Sequence, residues 1–217
     1  MNKTRIIWTS VGVVVVIAGG FLSTQSGTVP TIGLGGMSDI EAQGGKVEIE
    51  ALPTSSAAVL PDIHHKAAFT AKMVPEAKAI ILKNIFTLQE KLSSKVGQEN
   101  FATWNSLAQN YQVAEDYAAA RDVWEYLGKV FPSNHVAYGN LGFLYGYYLK
   151  DVVRAEQNYL KAIQNAPSQA FLYFQTAEFY RDVLKNSEKA LAIAQKGLTN
   201  NPQNADLRQL VQSLQQK

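Results

Sequence analysis

An all-α fold built from stacked helix pairs is what the sequence predicts, and three observations carry the prediction. A set of small, aromatic and turn residues recurs at intervals of 34 or 35 residues between Phe101 and Pro202. The stretches on either side of this recurrence carry apolar residues at helical spacing. No sustained alternation of apolar and polar residues marks a strand partner anywhere.

The chain divides into an anchor (1–22), a flexible linker (23–74) and a helical domain (75–217). Residues 6–22 form an uncharged run preceded by Lys3 and Arg5. At helical rise the run is about 25 Å long, near the lower limit for a membrane span. No Lys or Arg follows until Lys46. The positive-inside bias therefore predicts a single-pass signal anchor with its amino terminus in the cytoplasm and the domain extracytoplasmic. The small residues Ala18, Gly19 and Gly20 keep a cleaved, secreted form as the competing expectation.

Gly, Pro, Ser and Thr make up eighteen of the forty residues from 23 to 62. Such a composition cannot bury enough apolar surface to form a core, so a tether is predicted. Fully flexible, residues 23–74 would span roughly 40 Å. Within the tether, His64 and His65 beside Asp62 lack a third convergent ligand and are read as plain linker rather than as a metal site. Residues 61–74, with Ile63, Phe69 and Met73, are the part most suited to lie along the domain as an internal competitor for its surface.

The domain opens on a helix, placed at 75–95, that sets Ala77, Ile81, Ile85, Leu88 and Leu92 on one face. Three similar units follow at about 101–134, 135–169 and 170–204. Trp104, Tyr138 and Tyr173 are each followed by Leu107, Leu141 and Thr176, then by Ala108, Gly142 and Ala177, then by Tyr111, Tyr145 and Tyr180. In the second halves Ala120, Ala155 and Ala190, and then Pro132, Pro167 and Pro202, recur every 35 residues. Asp116, Asp151 and Asn186 do the same and are suited to cap the second helix of each pair. The first halves are spaced by 34 and then 35 residues, which predicts a one-residue insertion in the second inter-helix turn. A last helix at 204–216 sets Leu207, Leu210, Val211 and Leu214 inward and a polar face outward.

These positions resemble the tetratricopeptide repeat, in which an aromatic, Leu, Gly or Ala, and Tyr on one helix are followed by Ala, an aromatic and a terminal Pro on the next. The first copy has Trp124 as the second-helix aromatic and the second has Tyr159. The third departs, with Thr176 for the Leu and Ala194 for the aromatic. The resemblance implies a right-handed α-solenoid of three helix-turn-helix units with flanking capping helices. It also implies that the first helix of each pair lines a concave groove that holds a peptide. The residues expected to face inward are Asn105, Gln109, Gln112, Asn140, Phe143, Tyr147, Phe171, Phe174, Gln175 and Glu178.

One subclass of the family grips a terminal carboxylate with Lys and Arg on these helices. Here Asn105, Gln109, Phe171 and Gln175 stand at those positions and only Asn140 matches, so the charge-assisted bonds of such a clamp are missing. Amides bond an extended peptide backbone instead, with phenylalanines for its apolar side chains.

Chemistry and nucleic acid are excluded on composition. The chain has no Cys, three scattered His and no glycine-rich loop between strand and helix, since Gly33, Gly35 and Gly36 lie in the tether. Twenty basic residues against eighteen acidic ones give no basic stripe for nucleic acid. No enzyme and no cofactor are expected. The leading expectation is a membrane-tethered adaptor for a peptide or protein partner. A self-associating scaffold, which is a homo-oligomer, and a glycan or cell-wall binder stand as alternatives.

Overall fold

The computed structural model describes residues 58–70 and 72–216. The apolar run 6–22 and the tether as far as residue 57 lie outside the described residues. Among the described residues there is no strand, and no helix is long and apolar enough to cross a membrane.

The described chain is helical. After an extended stretch comes α1 (Pro75–Leu92), then a single short turn, α2 (Lys95–Gln98). The first pair is α3 (Phe101–Val113) and α4 (Tyr117–Val130). The second is α5 (His135–Phe143), continued by a π-helical turn (Leu144–Leu149), and α6 (Val152–Asn165). The third is α7 (Ala170–Glu178), continued by a π-helical turn (Phe179–Val183), and α8 (Ser187–Asn200). The last helix is α9 (Ala205–Gln215).

Local chemistry explains the boundaries. Pro75 opens α1, where its missing N–H costs nothing and its fixed φ suits the first helical position. Asp116, Asp151 and Asn186 cap α4, α6 and α8 by accepting from the backbone N–H of Ala119, Arg154 and Lys189. Asn100, Asn134 and Asn204 do the same for α3, α5 and α9. Gln169 stands at the matching point before α7 and makes no side-chain cap. The residue before each second-helix cap takes left-handed backbone: Glu115 at φ 65°, Lys150 at φ 60° and Lys185 at φ 54°. After each second helix the chain turns back through one bond, from Asn134 N–H to the Phe131 carbonyl, Gln169 to Ala166 and Asn204 to Asn201.

Packing follows sequence order. The two helices of each pair pack on each other, α4 touches α5 and α6 touches α7. α1 lies on α3, and α9 covers α8 and part of α7. Close approach within a pair needs small residues. A Cβ on Gly142 would sit 2.7 Å from the Tyr159 ring, and one on Gly197 would sit 2.5 Å from Tyr173 Cβ. Trp104, Trp124, Tyr111, Tyr159, Tyr173 and Phe179 fill the volume between helices and are fully buried. At about 1.5–3 kcal/mol for each large apolar side chain, this burial is the main stabilising contribution.

Polar braces recur with the same period. The Tyr145 hydroxyl bonds Glu125 on the preceding pair, and the Tyr180 hydroxyl donates to Glu156 at 2.9 Å. Gln89 on α1 supplies the equivalent partner, donating to the Tyr111 hydroxyl at 3.0 Å. α1 therefore stands where the second helix of a preceding pair would stand. The Asn165 amide reaches back to the Pro132 carbonyl at 2.9 Å, and Asn200 reaches the Pro167 carbonyl at 3.5 Å.

The inserted residue is not in the second inter-helix turn, where the spacing predicts it. In the first pair Asp116 N–H donates to the Tyr111 carbonyl, whereas Asp151 N–H donates to Tyr145 and Asn186 N–H to Tyr180, one residue further back. The extra residue is absorbed within the first helix of both later pairs as the π-helical turn. An added residue is accommodated there because widening one turn keeps the backbone bonded while the flanking helix retains its register.

Candidate functional site

The ten residues expected to line a groove come from α3, α5 with its π turn, and α7. On α3, Gln109 is exposed, while Asn105 and Gln112 are half-buried. The Asn105 side-chain carbonyl accepts from Trp124 Nε1 at 3.0 Å and from Asn140 Nδ2 at 3.2 Å. Asn105 and Asn140 are thus joined across the first two pairs, and part of their bonding capacity is spent on that link. Gln109, Gln112 and Gln175 make no side-chain hydrogen bond among the described residues, so their amides remain available.

The aromatic members fall into two groups. Phe171, 49% exposed, stands at the start of α7, with its ring 6.1 Å from His135 at the start of α5. Phe143 lies toward the other end of α5, its ring 4.9 Å from Tyr147 and 5.6 Å from Tyr148. Tyr148 stacks at 4.3 Å on Tyr117 of the first pair. Phe174 and Gln175 lie between the two ends of α7 and are half-buried. From Phe171 to Glu178 the helix advances about 10 Å. Of the ten residues, the structure joins Asn105 to Asn140 and Phe143 to Tyr147, and the rest are spread over α3 and α7.

Sequence reasoning missed Tyr117 and Tyr148. The π turn brings Tyr148 onto Tyr117, and nothing in the 34- and 35-residue spacing marks a π turn as distinct from an inserted loop residue. The fully buried Tyr159 was identified only as a packing residue. Its hydroxyl finds no hydrogen-bond partner in the structure.

Electrostatics concentrate near Glu178. Burial pushes the Glu178 carboxyl above the ordinary range, and Asp182 adds to the shift while Arg181 opposes it. Arg181 places Nε and one terminal nitrogen on the two Asp182 oxygens at 2.7 Å each, and stands 3.6 Å from Glu178 Oε1. Burial also raises the Tyr147 hydroxyl, with Glu178 and Asp182 acting in the same direction.

Residues 58–70 and 72–74, which composition assigns to the tether, lie against the helices. Ala68 N–H donates to Asp116 Oδ2 at 2.8 Å, and His65 Nε2 lies 2.8 Å from the same oxygen. The Gln89 amide donates to the His65 carbonyl at 2.8 Å, and the His65 ring meets Tyr111 edge-on at 5.4 Å. Ile63, Ala67, Phe69 and Met73 pack on the core, while Val59, Leu60, Pro61 and Asp62 share a cleft with Asp122, Glu125, Tyr126 and Lys129 of α4. None of these partners is among the ten residues expected to line a groove. Among the described residues, no group of three His, Cys, Asp or Glu side chains is placed to hold a metal ion.

No protein-family model matches the chain, and no curated protein matches it.

Proposed function

We propose that the chain is a non-catalytic adaptor of tetratricopeptide type, in which three helix pairs form a right-handed solenoid and hold an extended peptide along α3, α5 and α7. The amino-terminal run 6–22 anchors it in a membrane, with the domain on the extracytoplasmic side. The observation that carries this reading is the surface of these three helices. The amides of Gln109 and Gln112 on α3 and of Gln175 on α7 make no side-chain hydrogen bond, and the rings of Phe143 on α5 and of Phe171 and Phe174 on α7 are partly exposed. Amides pair with the backbone of an extended segment, and rings take its apolar side chains. The recurring caps, braces and small-residue contacts support the repeat class.

The test is photo-crosslinking in cells from a reactive amino acid at Phe171, the most exposed ring among the ten residues, in the full-length protein. Adducts with a foreign protein are the expected result. Absence of any foreign adduct from Phe171 and from Gln109 would sink the adaptor.

One observation favours a second reading, a self-associating scaffold. Ala79, Leu82 and Phe86 form a stripe on α1 away from its buried face, with Leu82 47% and Phe86 60% exposed. Sedimentation of the full chain in detergent distinguishes the two. A dimer that is lost on Phe86→Glu supports the scaffold, and a monomer at high concentration removes it.

A further inference from the structure

The second helices of the three pairs begin alike but differ in one place. Three positions after its cap, α6 has Arg154 and α8 has Lys189, whereas α4 has Ala119. Arg154 lies 5.2 Å from the centre of the Tyr145 ring, donates to the Tyr145 hydroxyl at 3.0 Å and pairs with its own cap, Asp151, at 3.0 Å. Lys189 lies 5.4 Å from the centre of the Tyr180 ring and donates to Glu156 at 2.8 Å. In each case a cation from the second helix stands between a carboxylate and the tyrosine ring. In the first pair α4 supplies no such side chain, and the seat is filled from outside the repeat. The His65 ring takes it, 5.4 Å from the Tyr111 ring and 2.8 Å from Oδ2 of the buried cap Asp116.

His65 arrives on an extended segment, here termed the strap. Pro61, Ile63, His65, Ala67 and Phe69 are half-buried, and the residues between them, Asp62, His64, Lys66 and Ala68, are exposed. The helices hold the strap backbone by side chains: Asp116 accepts from Ala68 N–H, and Gln89 donates to the His65 carbonyl. Backbone bonds with alternate side chains turned inward are the way an extended peptide is recognised. Yet the strap fits its seat incompletely. No described residue from 58 to 74 is buried, the Thr70 hydroxyl is shut off from solvent without a partner, and a cleft of about 310 Å³ lies between Val59, Leu60, Pro61 and Asp62 and the side chains of α4.

We propose that this seat is a second peptide-docking site, and that its preferred occupant is an extended segment of a partner protein carrying an arginine where the strap carries His65. A guanidinium donates two bonds to the Asp116 carboxylate where an imidazole donates one, and it favours the neighbouring ring. Apolar residues two places before the arginine, and two and four places after it, match Ile63, Ala67 and Phe69, which pack on the core. The strap is then a placeholder, kept in the seat because a tethered segment acts at about millimolar effective concentration.

The test measures binding of fluorescent peptides of residues 58–73 to the full-length protein in detergent, by anisotropy. One peptide has the native sequence, one carries His65→Arg and one His65→Leu. In the protein, Ala68→Pro removes the N–H that Asp116 accepts and so loosens the resident strap. On that variant the His65→Arg peptide should bind about tenfold more tightly than the native one, and the His65→Leu peptide about tenfold more weakly. Adding Asp116→Asn to the protein should erase this order while keeping the helix cap, since Asn186 caps α8 in the same way. Ala119→Arg, in the protein without the proline, is the independent check. It returns the cation to α4 and should displace His65, so that amide exchange in residues 63–69 rises while α3 and α4 stay protected. Equal binding of the His65→Arg and His65→Leu peptides, or an order that survives Asp116→Asn, overturns the cation seat. A native peptide that binds as tightly as the His65→Arg peptide means that the seat is built for the strap of a second copy, and overturns the arginine partner. Binding of no peptide, or strap exchange untouched by Ala119→Arg, makes the strap a fixed part of the fold and overturns the docking site. The seat uses none of the ten residues on α3, α5 and α7, so its failure leaves the groove reading to its own crosslinking test.

Discussion

Asp116 does at one residue what a capping position alone would not require. It caps α4 at Ala119 N–H, accepts from Ala68 N–H and pairs with His65. Burial acts to raise its carboxyl, but the bonds from Ala68, His65 and Ala119 outweigh it and hold the carboxyl below its ordinary value. A depressed acid stabilises the fold above its unfolded pKa, and that contribution is lost as pH falls through the folded value. Asp116→Ala should cost about 2 kcal/mol at neutral pH, from one cap and two bonds to a charge. The loss is measured by denaturant titration, should shrink in acid, and should be accompanied by faster exchange of the Ala68 amide. Unchanged exchange at Ala68 would mean that the extended stretch is held without Asp116. Glu178 has the opposite sign. Its raised carboxyl stabilises the fold only at pH low enough to protonate it, so its charge opposes folding at neutral pH. Arg181, Asp182, Tyr147 and Tyr159 are the titratable groups around it. Glu178→Gln should therefore raise the midpoint of thermal unfolding at pH 7 and leave it unchanged below the carboxylate range. Equal shifts at both pH values would remove the electrostatic account. Asp116 as a cap was legible from its 35-residue recurrence, but its bonds to His65 and Ala68 were not. They join residues 48 and 51 positions apart, a separation no local pattern records.

At the scale of the element, three turns are closed by residues that are poorly suited to them. Glu115, Lys150 and Lys185 all hold φ near 60°, a conformation that costs a non-glycine residue about 1–2 kcal/mol. Lys185 is exposed and makes no side-chain bond among the described residues, so its replacement isolates the backbone effect. Lys185→Gly should stabilise the protein by about 0.5–1 kcal/mol, after the added freedom of glycine in the unfolded chain is discounted. Lys185→Val should destabilise it by at least as much, since a β-branched side chain fits this region worst. Chemical denaturation of the two variants checks both signs. The same turns show how far periodicity reaches. It predicts the paired helices, because cap, alanine and proline recur in phase and each marks a boundary by its own chemistry. It misplaces the inserted residue, because a loop residue and a π turn shift the downstream pattern equally. That distinction decides where Tyr147 and Tyr148 stand, since the π turn carries both.

Over the whole described body, each helix packs chiefly on its neighbours in the chain, from α1 on α3 to α9 on α8 and α7. Stability in such an arrangement is close to a sum of local interfaces, so damage at one end need not be felt at the other. The carboxy-terminal interface is the place to test this. Leu207 is fully buried and caps the third pair together with Leu210, Val211 and Leu214, and Asn204 fixes the start of their helix. Leu207→Ala should cost about 2–5 kcal/mol, for lost burial and the cavity left behind. The first pair holds the reporters for the far end, because Trp104 and Trp124 are both fully buried there. In the variant, amide exchange should rise in α8 and α9 and stay unchanged in α3 and α4. Helical signal should begin to fall on heating before the tryptophan emission changes. If exchange rises equally in all helices, the body unfolds as one cooperative unit.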